Sequence, residues 1–295
     1  MRMKVGIVGP GAIGLLFTYY LQKESNAVTI YTRTEEQAQN IRKKGITCII
    51  NHAKYTVFPH ALPLDGASLQ DDYILVAVKQ YQLPSVLSHL HRASGKLIFL
   101  QNGMAHLSML QDFDQATAVG IVEHGAKKEN DTTVVHTGAG ITRLGIISGH
   151  EDMFQSLFSL FTEVFPLVIE KNWKEIVVNK LVINACVNPL TALYRVKNGE
   201  MLKNEHFNQV MKSVCKEVLC ILGESNLEEH WIRVCHVCEK TADNQSSMLT
   251  DVIHHRQTEV DAILGYILAK ADEKGQTVPI LSFLYHSMKG LEHKR

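Results

Sequence analysis

Lys180, Asn184 and Asn188 recur at intervals of four along a stretch that is otherwise largely apolar, with Ile176, Val177, Leu181, Val182, Ile183 and Val187 as neighbours. On a helix, residues four apart share a face, so these three side chains form one polar stripe. A lysine in such surroundings is costly unless something requires it. Two carboxamides beside it can hydrogen-bond a polar ligand, while the ammonium offers a proton or a charge. A plainer reading has the lysine snorkelling to the surface and the asparagines capping or bridging helices. Spacing alone leaves both open. Pro189, next after Asn188, is expected to kink or end the helix.

A second set of residues with chemistry lies at the start of the chain. An apolar strand at Lys4–Val8 runs into Gly9-Pro10-Gly11-Ala12-Ile13-Gly14, followed by an apolar helix over 15–23 and a strand over 28–31. This is a βαβ unit with G-x-G-x-x-G at its first turn, the arrangement that binds a dinucleotide on the N–H groups of a helix N-terminus. A site for NAD wants an acid at the end of the second strand. This chain has Tyr31-Thr32-Arg33 and no acid before Glu35. An arginine there suits a 2′-phosphate and favours NADP, unless Arg33 is simply a solvated loop residue.

The elements that must position these groups continue the alternation. Apolar strands at 73–78 and 96–100 end on Lys79 and on Gln101-Asn102-Gly103, and ligands of open α/β sheets sit beyond such strand ends. Lys79 and Asn102 are therefore expected to touch cofactor or substrate. Further strands are expected over 116–122 and 166–169. The segments 133–137 and 141–147, linked by Gly138-Ala139-Gly140, read as a hairpin, and a helix is expected near 152–164.

From residue 172 onward the apolar period is helical, over 172–194, 204–224, 228–242, 247–274 and 280–290. The change marks a boundary near residue 170, dividing an α/β domain (1–170) from an all-α domain (171–295). In the second half, Asn244-Gln245-Ser246-Ser247 precedes the helix expected over 247–274. Its serines can cap that helix, whose N–H groups could also hold a carboxylate. Glu259 and Asp261, expected on the same helix, are two residues apart and cannot share a face.

Composition limits the alternatives. Of 295 residues, 45% are hydrophobic and 20% charged, enough apolar material for two ordinary cores. Thirty basic and thirty acidic side chains cancel, which argues against a nucleic-acid partner held by phosphate neutralisation. No apolar run is read as a membrane span and the first residues lead straight into a strand, so a cytoplasmic protein is expected. Cys235 and Cys238 have C-x-x-C spacing without a second pair at zinc-site distance, so reduced thiols and no metal are expected. The apolar helices could pack within one chain or across a homodimer.

Taken together, these residues resemble the ketopantoate reductase (2-dehydropantoate 2-reductase) family, over nearly the whole chain. The resemblance rests on the glycine loop, Lys79, Gln101-Asn102-Gly103-Met104, Lys180-x3-Asn184-x3-Asn188-Pro189-Leu190-Thr191-Ala192, Asn198-Gly199-Glu200, Asn244-Gln245-Ser246-Ser247-Met248 and Thr258-Glu259-x-Asp261. It implies an N-terminal Rossmann-like dinucleotide-binding domain and a helical substrate domain. By the same resemblance Lys180 is the proton donor, and Asn102, Asn184, Asn188, Asn198, Asn244, Gln245, Ser246 and Ser247 line the substrate, with Ser247 near its carboxylate. Gly9, Pro10, Gly11, Ala12, Ile13, Gly14, Arg33, Lys79, Asn102, Ala126 and Glu259 match contacts to NADP. Glu259 also matches a partner of the substrate hydroxyl or the lysine. The implied reaction passes a hydride from NADPH to the C2 carbonyl carbon of a small 2-oxo acid, while Lys180 steadies and protonates the oxygen. Two rivals stand beside it: reduction of a different 2-oxo acid, and a protein that senses NADP(H) without catalysis. Two departures from the family pattern are Gln245, where an apolar residue is usual, and Glu123-His124-Gly125, an acidic segment that reads as a loose loop.

Overall fold

The computed structural model describes residues 3–24 and 27–293. They divide into two compact units, one comprising the chain through Gln101 together with His106–Trp173, the other Asn102–Ala105 with Lys174 onward.

In chain order the first unit runs β1 (Lys4–Val8), α1 (Ala12–Lys23), β2 (Ala27–Thr32), α2 (Glu35–Lys44), β3 (Ile46–Ile50), β4 (Ala53–Val57), β5 (His60–Pro63) and β6 (Tyr73–Val76). It continues with α3 (Leu83–Leu90), β7 (Lys96–Phe99), β8 (Thr117–Val122), β9 (Gly125–Asn130), β10 (Thr133–Gly138), β11 (Thr142–Ser148), α4 (Gln155–Phe158) and β12 (Leu167–Ile169). Among the described residues these strands make two sheets, ordered β12-β11-β8-β7-β6-β1-β2-β5 and β4-β3-β10-β9. In the larger sheet every neighbouring pair is parallel except β8 and β11. The chain leaves β1 for β2 on one side and returns to β6 on the other. The carboxyl end of β1 is thus the point where strand order reverses, the place where open α/β sheets bind ligands.

Residues Gly14 to Leu21 of α1 are all buried. A helix that is apolar all round must be covered all round, and α1 packs against strands of both sheets, β2 and β3 included.

The expected hairpin over 133–147 is not formed. β10 pairs with β9 and β3 in the small sheet, whereas β11 pairs with β8 and β12 in the large one. Residues 138–140 therefore carry the chain from one sheet to the other, and Glu123-His124 makes the same crossing between β8 and β9. The two crossings are bonded together: the Gly140 N–H donates to His124 Nδ1 at 3.1 Å. His124 is buried and stacks on Phe165 at 4.2 Å, so this segment is fixed rather than loose. The helix expected over 152–164 shrinks to a 3₁₀ turn at Glu151–Phe154 and one turn of α4. Aromatic packing explains the loss, because Phe165 lies between Tyr20, stacked at 4.2 Å, and His124, and Phe161 stacks on it as well.

Burial of these imidazoles links the fold to pH. Burial first, then neighbouring His136, pushes His124 down to about 4 from an ordinary 6.5, and burial alone does the same to His106. The unfolded chain therefore takes up protons that the folded chain refuses. Their contribution is intact above about pH 6.5 and is lost as pH falls toward 4, with a slope approaching about 1.4 kcal/mol per pH unit for each histidine. Denaturant unfolding across that window is expected to show the decline, flattened in His124→Phe by one histidine's share. An unchanged slope in the variant contradicts the assignment.

The second unit is helical: α5 (Trp173–Tyr194), α6 (Glu200–Lys203), α7 (Glu205–Leu222), α8 (Leu227–Lys240), α9 (Ser247–Ile253), a π-helical stretch at Asp261–Gly265 leading into α10 (Tyr266–Glu273), and α11 (Pro279–Glu292). Pro189 does not end α5. The missing N–H removes one bond to the Ala185 carbonyl, but Leu181, Val182, Cys186, Leu190 and Ala192 are buried on both sides of it and hold the helix together. The stop comes at Arg195, in the left-handed region (φ +56°), where the Val196 N–H closes back on the Thr191 carbonyl at 3.1 Å. Among the described residues, α5 is also the one helix long and apolar enough to cross a membrane, but 56% of its apolar window is buried. Of the six free cysteines, Cys220 is exposed and Cys235 half-buried, and the other four are buried.

The single helix expected over 247–274 is broken between Ile253 and Val260. His255 takes a left-handed conformation (φ +52°), and both the Arg256 N–H and its Nε turn back to Asp251, at 2.8 and 3.0 Å. Thr258 then starts the next helix, its hydroxyl accepting the Val260 N–H at 3.2 Å. Glu259 therefore stands at a helix entrance, not in mid-helix.

Candidate functional site

The glycine loop is built around three different needs. Gly9 has φ +103°, and a side chain there would stand 2.9 Å from the Val78 nitrogen. At Gly14 a Cβ would lie 1.9 Å from the Gly9 carbonyl oxygen. Both glycines are demanded by the chain itself. Gly11 is not: its backbone is extended (φ −74°, ψ −176°), and a Cβ would meet only the Ala77 oxygen, at an ordinary 3.6 Å. What a side chain at Gly11 would fill is the space over the start of α1. That helix begins at Ala12, inside the glycine motif and earlier than the expected residue 15. No side chain caps it. First-turn N–H groups without a side-chain acceptor, beneath a residue lacking Cβ, fit a pyrophosphate.

Beyond β2, Arg33 is exposed; it follows buried Thr32 and precedes exposed Thr34, which caps α2 by accepting the Gln37 N–H. The nearest acid is committed elsewhere. Glu35 is bonded to Arg42 and Gln39 of its own helix, and those two bonds, Arg42 first, hold its carboxyl below the usual range. Lys79 follows β6 half-buried, its N–H donating to Gln82 Oε1 at 3.1 Å. Gln101, at the end of β7, donates to the Val76 and Val78 carbonyls, each at 2.9 Å, and so ties two strand ends together. Ala126 lies half-buried on β9, opposite His136.

In the helical unit, Lys180, Asn184 and Asn188 are each partly exposed, whereas Leu181, Val182, Ala185, Cys186 and Val187 between them are buried. The three polar side chains thus share the accessible part of α5 with Asn179 and Ile183, which are partly exposed as well. One turn beyond Asn188, Thr191 Oγ1 lies 2.7 Å from Ser246 Oγ, which in turn accepts the Leu249 N–H at 3.1 Å. Ser246 is thus the buried cap of α9, and it joins the 244–247 segment to the polar helix. Asn244, Gln245 and Ser247 stay exposed. Asn198 is buried: its Nδ2 donates to Thr241 Oγ1 at 2.8 Å and its N–H to the Asn244 carbonyl at 3.0 Å. It braces the segment that precedes α9. Ser246→Ala is expected to destabilise the protein by about 1 kcal/mol, since a cap is lost while the Thr191 hydroxyl keeps the Val187 carbonyl at 2.8 Å. A melting temperature equal to that of the parent protein would contradict the bracing role.

Asn102 and Glu259, 157 residues apart in sequence, meet directly, with Asn102 Nδ2 donating to Glu259 Oε2 at 3.1 Å. Gly103 makes the approach feasible. It has φ +83°, and a side chain there would stand 2.4 Å from the Ala262 carbonyl in the π-helical stretch. Asp261 faces another way, taking Tyr285 Oη at 2.8 Å and Lys289 Nζ at 2.9 Å. Thr258 is fixed by Glu292, which accepts both its N–H (2.8 Å) and its hydroxyl (2.7 Å). In the sequence, Gln101 and Thr191 stand within the quoted motifs without an assigned role, and Glu292 is not singled out. Thr258 is quoted too, but its capping role is not read, although a threonine three residues before an acid is a capping signal.

Known proteins match this chain over most of its length. The family model described as "Ketopantoate reductase PanE/ApbA" covers residues 5–149, and "Ketopantoate reductase PanE/ApbA C terminal" covers 172–292. The 2-dehydropantoate 2-reductase of Bacillus subtilis is 43% identical over 98% of both chains, and that of Listeria innocua 36% identical over 100% of this chain and 98% of its own. Among solved structures, a probable 2-dehydropantoate 2-reductase of Bacillus subtilis superposes with a TM-score of 0.88 at 42% identity, covering 98% of this chain and 100% of its own. A ternary complex of D-mandelate dehydrogenase with NADH and anilino(oxo)acetate shares the fold, with a TM-score of 0.92 at 22% identity over 99% of both chains. With two family models spanning both units and full-length relatives well above 30% identity, the chain belongs to the ketopantoate reductase family.

Proposed function

We propose that this protein reduces 2-dehydropantoate to pantoate with NADPH, in pantothenate and coenzyme A biosynthesis. The observation that carries the reading is the stripe of Lys180, Asn184 and Asn188, partly exposed on a helix that buries Val177, Leu181, Val182, Ala185, Cys186 and Val187. Residues 9–14 would hold a nicotinamide dinucleotide by its pyrophosphate, and such a cofactor supplies a hydride. Lys180 then stabilises the negative charge that grows on the C2 oxygen and delivers the proton, general acid work joined to electrostatics. Asn184 and Asn188 orient the substrate by hydrogen bonds from the same face. Ser247 and Asn244, exposed beside the capped start of α9, serve the carboxylate and the remaining polar groups. Asn102 and Glu259 act as one bonded pair, with Glu259 reaching cofactor, substrate hydroxyl or lysine from it. The same reading has the enzyme in the cytoplasm, acting on a small-molecule 2-oxo acid either as a single chain or as a homodimer.

The preference for NADPH rests on Arg33 and on the engagement of Glu35, the first acid after β2, with Arg42. Arg33→Ala is expected to raise KM for NADPH about tenfold, one charge-assisted bond at an exposed site, and to leave KM for NADH unchanged. Equal effects on both nucleotides would remove Arg33 from the 2′-phosphate.

The deciding assay follows the absorbance of NADPH and of NADH, separately, with ketopantoate and with a panel of other 2-oxo acids. Ketopantoate-dependent oxidation of NADPH is the expected result. Faster oxidation with another 2-oxo acid would transfer the reading to that substrate. Nucleotide binding with no oxidation by any of them would make the protein a sensor.

A further inference from the structure

On a strand, successive side chains point to opposite faces, so Lys127 and Glu129 share one face of β9 and Ala126 and Lys128 the other. Lys127 and Glu129 are exposed and pair with each other at 3.1 Å. Lys128 is different. Its side chain is only 26% exposed, and its ammonium lies 3.2 Å from the Pro10 carbonyl oxygen, within the glycine loop, and 2.9 Å from Asp131 Oδ1. A cation is thus fixed against the loop that precedes α1, two residues along the strand from Ala126. Its counter-ion belongs to the β9–β10 turn and is 61% exposed. An ion pair with so exposed a member is worth about 0–1 kcal/mol, so exchanging it for a phosphate is cheap.

We propose that Lys128 is a binding residue for the dinucleotide pyrophosphate, and that Asp131 is the internal anion that the pyrophosphate displaces from it. The inference rests on the nucleotide-binding reading of residues 9–14. An ammonium is a compact charge that needs no fixed angle to a phosphate, and the Pro10 carbonyl keeps it beside the α1 N-terminus. Pyrophosphate is common to NADPH and NADH, so Lys128 acts on both, in contrast to Arg33. The roles of Lys128 and Asp131 are opposite in sign.

The test is equilibrium binding of NADPH and of NADH to the full-length protein by calorimetry, at low and high ionic strength. Lys128→Met is expected to raise Kd for both nucleotides about tenfold at low salt, the size of one charge-assisted bond, and by less at high salt. Lys128→Arg is expected to keep most of the affinity, and Asp131→Asn to tighten binding of both nucleotides severalfold. Unchanged Kd values in Lys128→Met would overturn the proposal, as would a loss restricted to NADPH, which points to the 2′-phosphate. Weaker binding in Asp131→Asn would also overturn it, because the pair would then be a brace for the loop. If the parent protein binds neither nucleotide, the underlying reading fails instead. Melting curves accompany each variant. Should Lys128→Met unfold, the signs from Lys128→Arg and Asp131→Asn still decide.

Discussion

Replacing Lys180 with alanine is expected to lower kcat for ketopantoate reduction by about 10²–10⁴, the span typical of a lost general acid. The fold should tolerate the change. Lys180 is partly exposed on α5, alanine is the best helix former, and the apolar neighbours that hold the helix in its unit are untouched. A lysine that merely snorkelled would lose packing of its stem and nothing chemical, so the two readings of the stripe separate cleanly. The proton-donor reading predicts that kcat collapses while the melting temperature and the NADPH Kd stay near the parent values. Lys180→Arg sharpens the test. Arginine keeps the charge but does not give up a proton near neutral pH, so it should recover substrate binding more than turnover. In contrast, Asn184→Ala is expected to act mainly through KM, by roughly tenfold, as an uncharged orienting bond does. Near-normal turnover in Lys180→Ala would end the mechanism proposed for this protein.

What could be read from the sequence follows from what is local. The stripe on α5 needed only a period of 3.6, and the glycine loop needed only a strand before it and a helix after it, so both were legible. Pairings that depend on distant strands were not. Nothing within residues 133–148 reveals that β10 has a partner in β3, some 85 residues earlier, so two alternating runs joined by glycines read as a hairpin although the chain crosses between sheets there. The His124 crossing was misjudged for a related reason. Glu123 and Gly125 look loop-like, while the stacking of His124 on Phe165 and its bond from Gly140 come from elements that follow in sequence. At Pro189 the helical period expected over 172–194 prevails, and burial on both sides carries α5 through the proline instead of ending it there. The roles of Asn198 and Glu292 came from neither rule, since Asn198 reaches Thr241 and Glu292 reaches Thr258 only once the helices have packed. Motif resemblance put Asn198 among the substrate contacts; its Nδ2 is bonded to Thr241, while its buried Oδ1 has no hydrogen-bond partner among the described residues.

Gly11→Val should separate nucleotide binding from folding more sharply than any other change in the glycine loop. Valine is at ease in the extended backbone of residue 11, and the single close neighbour of a Cβ there, the Ala77 oxygen, sits at normal contact distance. Stability is therefore expected to stay within about 1 kcal/mol of the parent. The side chain would nevertheless occupy the space over the uncapped start of α1, and a pyrophosphate could no longer reach the first-turn N–H groups. Losing two bonds to a charged group, each worth about 1.5–3 kcal/mol, corresponds to a Kd raised by about 10²–10⁴ for NADPH and NADH alike. Gly14→Ala gives the opposing control. Its Cβ would lie 1.9 Å from the Gly9 oxygen, so the loop must move and stability should fall together with binding. Calorimetric titration and thermal melts of the two variants, run side by side, check the contrast. A Gly11→Val protein that binds NADPH normally would mean that the pyrophosphate does not approach this loop, and a Gly14→Ala protein as stable as the parent would mean that the tight contact between Gly9 and Gly14 carries no weight in the fold.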